Sequence, residues 1–425
     1  MIDIKEIREN PQKFKDACAA KKFSADIDKL IEVDSVLKSI KQKLQDISTD
    51  KNRIGKSIPK LSADEKQSAL SQLAELKLQE AKYSEEIGRL RPQFDEIMQQ
   101  VPQPADEDVP FGKDDTENIE IRREGEIRQF DFEPKDHVQL GMALGIIDIE
   151  RGVKLAGTRN YFLKGNGALL HWAVLRLAMD YMIGKGYVPL SVPLLMKDEA
   201  MKGTGYYPGS EDQTYRMEKD QLNLVGTAEV PLTAYRMGEI LDAGDLPLKY
   251  VALSSCFRRE AGAAGKDTYG LYRIHQFDKV EQVVICENST EQSRKFHEEI
   301  LANAEAVMKA LELPYRVVNV CTGDLGRGQA KKFDIEAWMP SRGSYCETHS
   351  ASKFYEFQAR RMNLRYKDAG TRKNLFCHTL NNTVMASPRI LIPIMELYQN
   401  SDGSITIPKV LRPYMNGKEK INELS

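Results

Sequence analysis

Along the first quarter of the chain the apolar positions follow a 3-4 alternation. Leu30, Val33, Leu37, Ile40, Leu44, Ile47, Ile54, Ile58 and Leu61 fall on one helical stripe that only Lys51 interrupts. Such spacing sets each apolar side chain on the same edge of successive turns, which predicts a heptad seam. After Pro59 and the cap-like Ser62-Ala-Asp-Glu65, a second seam runs Leu73, Leu76, Tyr83, Ile87, Leu90, Phe94, Ile97 and Val101, with Glu80 as its exception. Two seams of similar length joined by a short turn predict an antiparallel coiled coil. At 1.5 Å per residue, about 30 residues make an arm of roughly 45 Å. Pro92 predicts a kink in the returning helix near its base.

The run VPQPADEDVPFG at 101–112 has three prolines and no period, and reads as a hinge-like linker. The expected organisation is a helical arm over 1–104, a linker over 105–119 and an enzyme-like domain over 120–425. In that last part, helical stretches (136–152, 168–184, 289–311, 388–398) alternate with β-rich runs (250–259, 272–286, 332–339). Long strands that follow one another without an intervening helix predict an antiparallel sheet and an α+β fold.

A length of 425 residues, 41% of them hydrophobic, suits two or three domains with at least one large core. That fraction and the ordinary Gly and Pro counts exclude collagen-like, mucin-like and disordered chains. No stretch of about 18 apolar residues occurs, and MIDIKEIREN lacks the apolar core of a signal peptide, so a cytoplasmic protein without a membrane partner is expected. The six cysteines are scattered, without a C-x-x-C pair or His at zinc-ligand spacing, so reduced thiols and no structural zinc are expected. With 61 basic against 63 acidic residues there is no global attraction to phosphate, and a nucleic-acid partner must be met locally. Lys38, Lys41, Lys43, Lys51, Arg53, Lys56 and Lys60 stand against only Asp46 and Asp50 between 38 and 60. A cationic stretch toward the tip of a rod suits a phosphate backbone, although heptads alone equally describe a dimerisation or scaffold coiled coil.

The most informative stretch is FRREAGAAGKDTYG at 257–270, followed by LYRIHQFDKVE at 271–281. Strand alternation sets Arg258 and Glu260 on one face of the first strand, and Arg273, His275, Phe277, Lys279 and Glu281 on one face of the second. A solvent-facing strand can look like this. The same face also suits one ligand: a ring sandwiched between Phe277 and an Arg, a polyphosphate on Arg258 and Arg273, and Glu281 about 13 Å along the strand. The Gly- and Ala-rich loop between the strands would close over the triphosphate.

This block resembles motif 2 of the class II aminoacyl-tRNA synthetases, in its seryl-tRNA synthetase form. Thr227-Ala228-Glu229 resembles that family's T-x-E signature, FQARR at 357–361 its F-Q-A-R-R, and Leu380-Asn381 with Arg389 its motif 3. Asp402-Gly403 and VLRPY at 410–414 resemble its carboxy-terminal pattern, and 1–10 with the helical hairpin its tRNA-binding domain. The resemblance implies a class II antiparallel-sheet catalytic domain preceded by a helical arm. It implies serine activation by ATP to seryl-adenylate and pyrophosphate, then transfer to the 3′ end of tRNA(Ser), with tRNA(Sec) a candidate second substrate. Catalytic roles fall to Arg258, Arg389 and Glu347. ATP contacts fall to Arg258, Arg259, Glu260, Arg273, Phe277, Glu347, Thr348, His349, Ser350 and Arg389. L-serine contacts fall to Thr227, Ala228, Glu229, Arg258, Glu281, Asn381 and Thr383. Glu347 and Ser350 match magnesium positions, with Mg²⁺ arriving on ATP. Lys38, Lys41, Lys51, Arg53 and Lys56 are the expected tRNA contacts. The motif-1-like run GYVPLSVP at 186–193 implies a homodimer, and Ser387-Pro388 reads as an N-cap and first helical position.

The chain departs from the family pattern at Glu347-Thr-His-Ser, at 203–208 (GTGYYP), and at 382–389 (NTVMASPR), where three glycines of motif 3 are replaced. Two other readings are weaker. A ligase that charges a carrier protein lacks a long arm, and a decayed RNA-binding scaffold is expected to lose Arg258, Glu281, Glu347 or Arg389.

Overall fold

The computed structural model describes residues 1–262 and 268–422; the loop assigned above to closure lies largely outside them, at 263–267. Two compact units form, one of residues 2–102 and a second from Gln103 onward.

In the first unit, α1 (Ile4–Glu9) and α2 (Pro11–Lys21) precede the long pair α3 (Ile27–Ser57) and α4 (Ala63–Gln100). Asp26 caps α3 by accepting from Lys29 N at 2.9 Å. The Ser62 N–H donates to Glu65 at 2.9 Å to open α4, satisfying a donor the first turn leaves unpaired. Leu30, Val33, Leu37, Ile40 and Ile47 are buried as the seam predicts. On α4 the buried positions are Ala69, Phe94 and Met98, so Met98 takes the place expected of Ile97. The helix passes through Pro92 as one continuous element.

The second unit is built on eight strands: β1 (Ile119–Glu124), β2 (Val188–Pro189), β3 (Leu248–Phe257), β4 (Gln276–Cys286), β5 (Tyr315–Asn319), β6 (Lys331–Met339), β7 (Ser344–Tyr355) and β8 (His378–Ser387). Their order across the sheet is β1-β5-β6-β7-β8-β4-β3-β2, antiparallel throughout except for the β2/β3 edge pair. On the back face, α7 (Asn166–Gly184) and the helix Thr290–Ala310 bury Leu170, Val174, Ile300 and Val307 against Val251, Val280, Val284 and Leu380. On the front face a smaller core of Leu232, Tyr250, Ala252, Val283, Ile285 and Met362 covers one end only.

Four expectations are corrected. The stretch 136–152 is two helices, α5 (His137–Ala143) and α6 (Ile149–Ala156), separated by a two-residue strand, because Gly145 takes a left-handed φ of 64°. The run 272–286 becomes extended only at Gln276. Ser387 ends β8, and the following helix begins at Leu391, so Ser387-Pro388 is no helix start. Residues 103–108 of the proline-rich segment are not loose but bonded into the second unit: Gln103 N donates to Arg327 O and Asp106 N to Ala330 O, each at 2.9 Å. The Asp106 carboxylate takes Lys353 and the Tyr355 hydroxyl, and Asp108 takes Lys331. Prolines without periodicity predict irregular backbone; here that backbone is fastened down by its acids.

All six cysteines are buried and unbridged. No helix among the described residues is long and apolar enough to cross a membrane.

Candidate active site

The uncovered front faces of β7, β8 and β4, with Arg258 just past the end of β3, line a cavity of about 270 Å³. Alternation does the sorting on β4. Phe277, Lys279 and Glu281 face the cavity, while Val280 and Val284 enter the back core.

On β8 the alternation is reset. Opposite the step from Val280 to Glu281 stand Met385 and Thr383, so Val384 is an extra residue, a bulge. Asn381 and Thr383 face the cavity before it, and Ala386 and Arg389 after it. The carbonyl of Val384 accepts from Nε2 of buried His349 at 3.0 Å.

One end of the cavity is acidic and tightly bonded. The Glu281 carboxylate accepts from Asn381 Nδ2 at 2.8 Å and from the Thr383 hydroxyl at 3.4 Å, and pairs with Lys279. Lys279 Nζ also donates to Thr227 Oγ1 at 2.7 Å. Glu229 accepts from Gln358 Nε2 at 2.8 Å. Burial, and then the charge of Glu281, push the Glu229 carboxyl up to about 7. Tyr206, from the divergent 203–208 segment, completes this end. A Cβ at Gly226 would lie 2.3 Å from its hydroxyl, so only glycine lets the ring sit beside Thr227.

The other end is cationic and aromatic. The Arg258 guanidinium lies 5.2 Å from the Phe277 ring centroid, and its Nε donates to Gly226 O at 3.2 Å. Arg273 pairs with Glu260 at 2.9 Å. Arg389 stacks on Tyr272 at 4.5 Å and donates to the carbonyls of Tyr272 and Glu347 at 3.1 and 3.0 Å. Glu347 and Ser350 open into the same space. Protein around Glu347 pushes its carboxyl up, but Arg389, Lys332, Arg258 and Arg273 more than reverse this and hold it below the ordinary value. Two oxygen donors, one kept anionic, form a set that fits a hard divalent cation shared with a ligand's oxygens.

The cavity thus gathers Arg258, Glu260, Arg273, Phe277, Glu347, Thr348, Ser350 and Arg389 with Thr227, Glu229, Glu281, Asn381 and Thr383. Three expected members stand outside its lining. Arg259 is exposed, and its N–H donates to Gln213 O. His349 is buried in support of the bulge, and burial lowers its pKa to about 4. Ala228 is buried in the front core. His275, expected on the ligand face, instead precedes the strand, where its Nδ1 donates to Arg258 O at 3.0 Å and its ring meets Tyr215 edge-on. Lys279, Tyr206, Tyr272 and Gln329 are lining residues that the sequence reading did not assign. Lys279 had a signal, sharing the two-residue spacing of Phe277 and Glu281.

On the arm, Lys51 pairs with Glu80 at 2.6 Å and Arg53 with Asp50 at 2.8 Å. Lys38 and Lys41 line a cleft with Lys5, Arg8, Asp34 and Arg91. Lys56 is exposed close to the turn.

Family models match twice: the seryl-tRNA synthetase N-terminal domain over residues 1–104, and the class II tRNA synthetase core domain (G, H, P, S and T) over 213–398. A serine–tRNA ligase of Deinococcus radiodurans is 43% identical across 100% of this chain and 99% of its own length. One from Dictyoglomus turgidum is 41% identical over 99% of each. Among solved structures, a seryl-tRNA synthetase of Pyrococcus horikoshii complexed with ATP superposes with a TM-score of 0.93, at 37% identity and full coverage of both chains. A cytoplasmic serine–tRNA ligase of Naegleria fowleri in complex with AMP gives 0.86 at 31% identity, covering 98% of this chain and 96% of that one.

Proposed function

The chain belongs to the seryl-tRNA synthetases, ATP-dependent ligases that join serine to tRNA, and we propose that the two ends of its cavity divide that reaction between them. The observation that carries this division is the meeting, on one sheet face, of a bonded carboxylate cluster and a cationic aromatic cluster joined by Arg258.

At the acidic end, ionised Glu229 binds the α-ammonium of serine. Glu281, held by Lys279, Asn381 and Thr383, accepts a hydrogen bond from the side-chain hydroxyl. Alanine lacks that hydroxyl and leaves buried polar groups unpaired, which is how a small pocket rejects it. At the cationic end, Phe277 stacks the adenine, Arg258 binds the α-phosphate and Arg389 the far phosphates, with Glu260 and Arg273 beside them. Mg²⁺ held by Glu347 and Ser350 would offset phosphate charge. A serine carboxylate oxygen attacks the α-phosphorus in line, and the bond to pyrophosphate breaks. Arg258 stabilises charge on the phosphoryl oxygens as it develops. A terminal ribose hydroxyl of tRNA then attacks the seryl carbonyl, and AMP leaves.

The arm of residues 1–104 contacts tRNA(Ser), and tRNA(Sec) where one is present, through its unpaired cations. Lys38, Lys41 and Lys56 are better placed than Lys51 and Arg53, whose charges already meet Glu80 and Asp50. A homodimer, working in the cytoplasm, covers the outer face of α7, where Trp172, Ile183 and neighbouring Leu253 are 61, 46 and 43% exposed.

The test is exchange of labelled pyrophosphate into ATP without tRNA. Exchange that depends on serine and fails with alanine supports the division; equal exchange with alanine overturns it. Deleting residues 30–100 should leave exchange in place and abolish tRNA charging, and retained charging would remove the arm from the reaction.

A further inference from the structure

On the back of the sheet, behind the ATP end of the cavity, a chain of polar side chains crosses three strand ends. Ser255, Asp278 and Ser387 stand side by side on β3, β4 and β8, Asp278 being in register with both serines. The Ser255 hydroxyl donates to Asp278 Oδ1 at 2.6 Å. His171, 7% exposed and carried by α7, reaches into the row from behind. Its Nε2 lies 3.0 Å from Asp278 Oδ2 and its Nδ1 2.8 Å from Ser387 Oγ. With the carboxylate accepting from Nε2–H, a neutral ring leaves Nδ1 to accept from the Ser387 hydroxyl, so both nitrogens are engaged.

The position of this row is informative. Asp278 follows Phe277 directly, Ser255 stands three residues before Arg258, and Ser387 two before Arg389. Three of the residues expected on ATP, Phe277, Arg258 and Arg389, therefore lie one to three residues from a member of the row. The serine end differs in being set inside the paired sheet: Lys279 and Glu281 are bonded to strands on both sides, with Glu281 about 10 Å of strand inward of Asp278, whereas Phe277, Arg258 and Arg389 stand at or just past strand ends. Thr383 lies on the other side of the Val384 bulge from Ser387.

We propose that His171 is a positioning residue for ATP: by holding Asp278 and Ser387 together it fixes the lateral placement of the strand ends that present Phe277, Arg258 and Arg389. It touches no substrate. Backbone pairing alone sets register along a strand, but the last residues before a loop can splay. A hydrogen-bonded imidazole between two of three such ends removes that freedom. This inference rests on the assignment of the cationic end to ATP.

The test is a set of full-length variants read by steady-state pyrophosphate exchange, with KM measured separately for ATP and serine. His171→Ala should raise KM for ATP about tenfold, the scale of losing a hydrogen bond to a charged group, while KM for serine moves less than about twofold. His171→Gln, whose amide nitrogen can reach the place of Nε2, should recover most of that loss. Ser387→Ala removes one hydroxyl from the far end of the chain. It should show the same split at a few-fold scale, and it carries the test if His171→Ala does not fold. An unchanged KM for ATP, equal rises for ATP and serine, or a Gln variant as impaired as the Ala variant would overturn the proposal. Failure of serine-dependent exchange in the unaltered protein would instead overturn the assignment of the site, so the two failures are distinguishable.

Discussion

Lys51 and Glu80, the two charged residues that interrupt the apolar seams of the arm, meet across the hairpin with Nζ and Oε2 2.6 Å apart. Each exception in one seam answers the exception in the other. Their side chains are 33% and 40% exposed, so the pair is worth little in stability, at most about 1 kcal/mol. Its better use is register, since sliding one helix by a turn would set an unpaired charge against an apolar neighbour. Replacing both residues by Leu should raise the melting temperature of the arm, and Lys51→Leu alone should lower it. In tRNA charging, Lys51→Ala should raise KM for tRNA less than Lys41→Ala or Lys56→Ala, which remove unpaired cations.

Lys279 is the buried cation between the carboxylates of the serine end. Lys279→Met keeps the length of the side chain and removes its charge, leaving Glu281 without its ion pair and Thr227 without its donor. Breaking a buried pair from one side costs about 3–5 kcal/mol, so serine-dependent exchange should fall by at least about 100-fold. Exchange within about threefold of the unaltered chain would show that the lysine only fills space.

The Glu229 carboxyl titrates near 7 in the folded chain against an ordinary 4.5. The native state therefore holds a proton that the unfolded chain releases. The stability contributed by this group is full below about pH 4.5 and declines as pH rises toward 7. Without serine, thermal stability should fall across that window, and Glu229→Gln should flatten the slope. Serine binding runs the other way, because the ammonium requires the anion. KM for serine should fall as pH rises from about 6 to 8, and the Gln variant should lose this dependence.

His349 and Arg259 separate what touches the ligand from what merely neighbours it in sequence. His349→Ala leaves the Val384 carbonyl without its donor and should cost about 1–3 kcal/mol in urea denaturation. Arg259→Ala, at an exposed position outside the cavity, should leave exchange within about twofold. A large loss from Arg259→Ala, with stability unchanged, would return that residue to the ATP site.

What could be read in the letters was whatever a fixed period governs. The seams of the arm repeat, and residues 277, 279 and 281 alternate, so burial on α3 and facing on β4 followed directly. Arg259, His349 and Ala228 were carried in by their places within motifs, which do not say where a side chain points: His349 alternates with its strand neighbours, Ala228 has helical backbone, and Arg259 lies past its strand end. The extra residue at Val384 was invisible because a bulge is defined only against its partner strand. The fastening of 103–108 was missed for a similar reason. Its acids find Lys353 and Lys331 more than 200 positions away, and composition reports only that the segment lacks a repeat.

The extra residue at Val384 decides which side chains beyond it face the cavity. Sidedness beyond that point is decided by counting, as on a ratchet advanced by one tooth. Arg389 therefore tolerates changes of identity upstream far better than changes of length. Removing a single residue between Thr383 and Arg389 should do more harm than rewriting several of them.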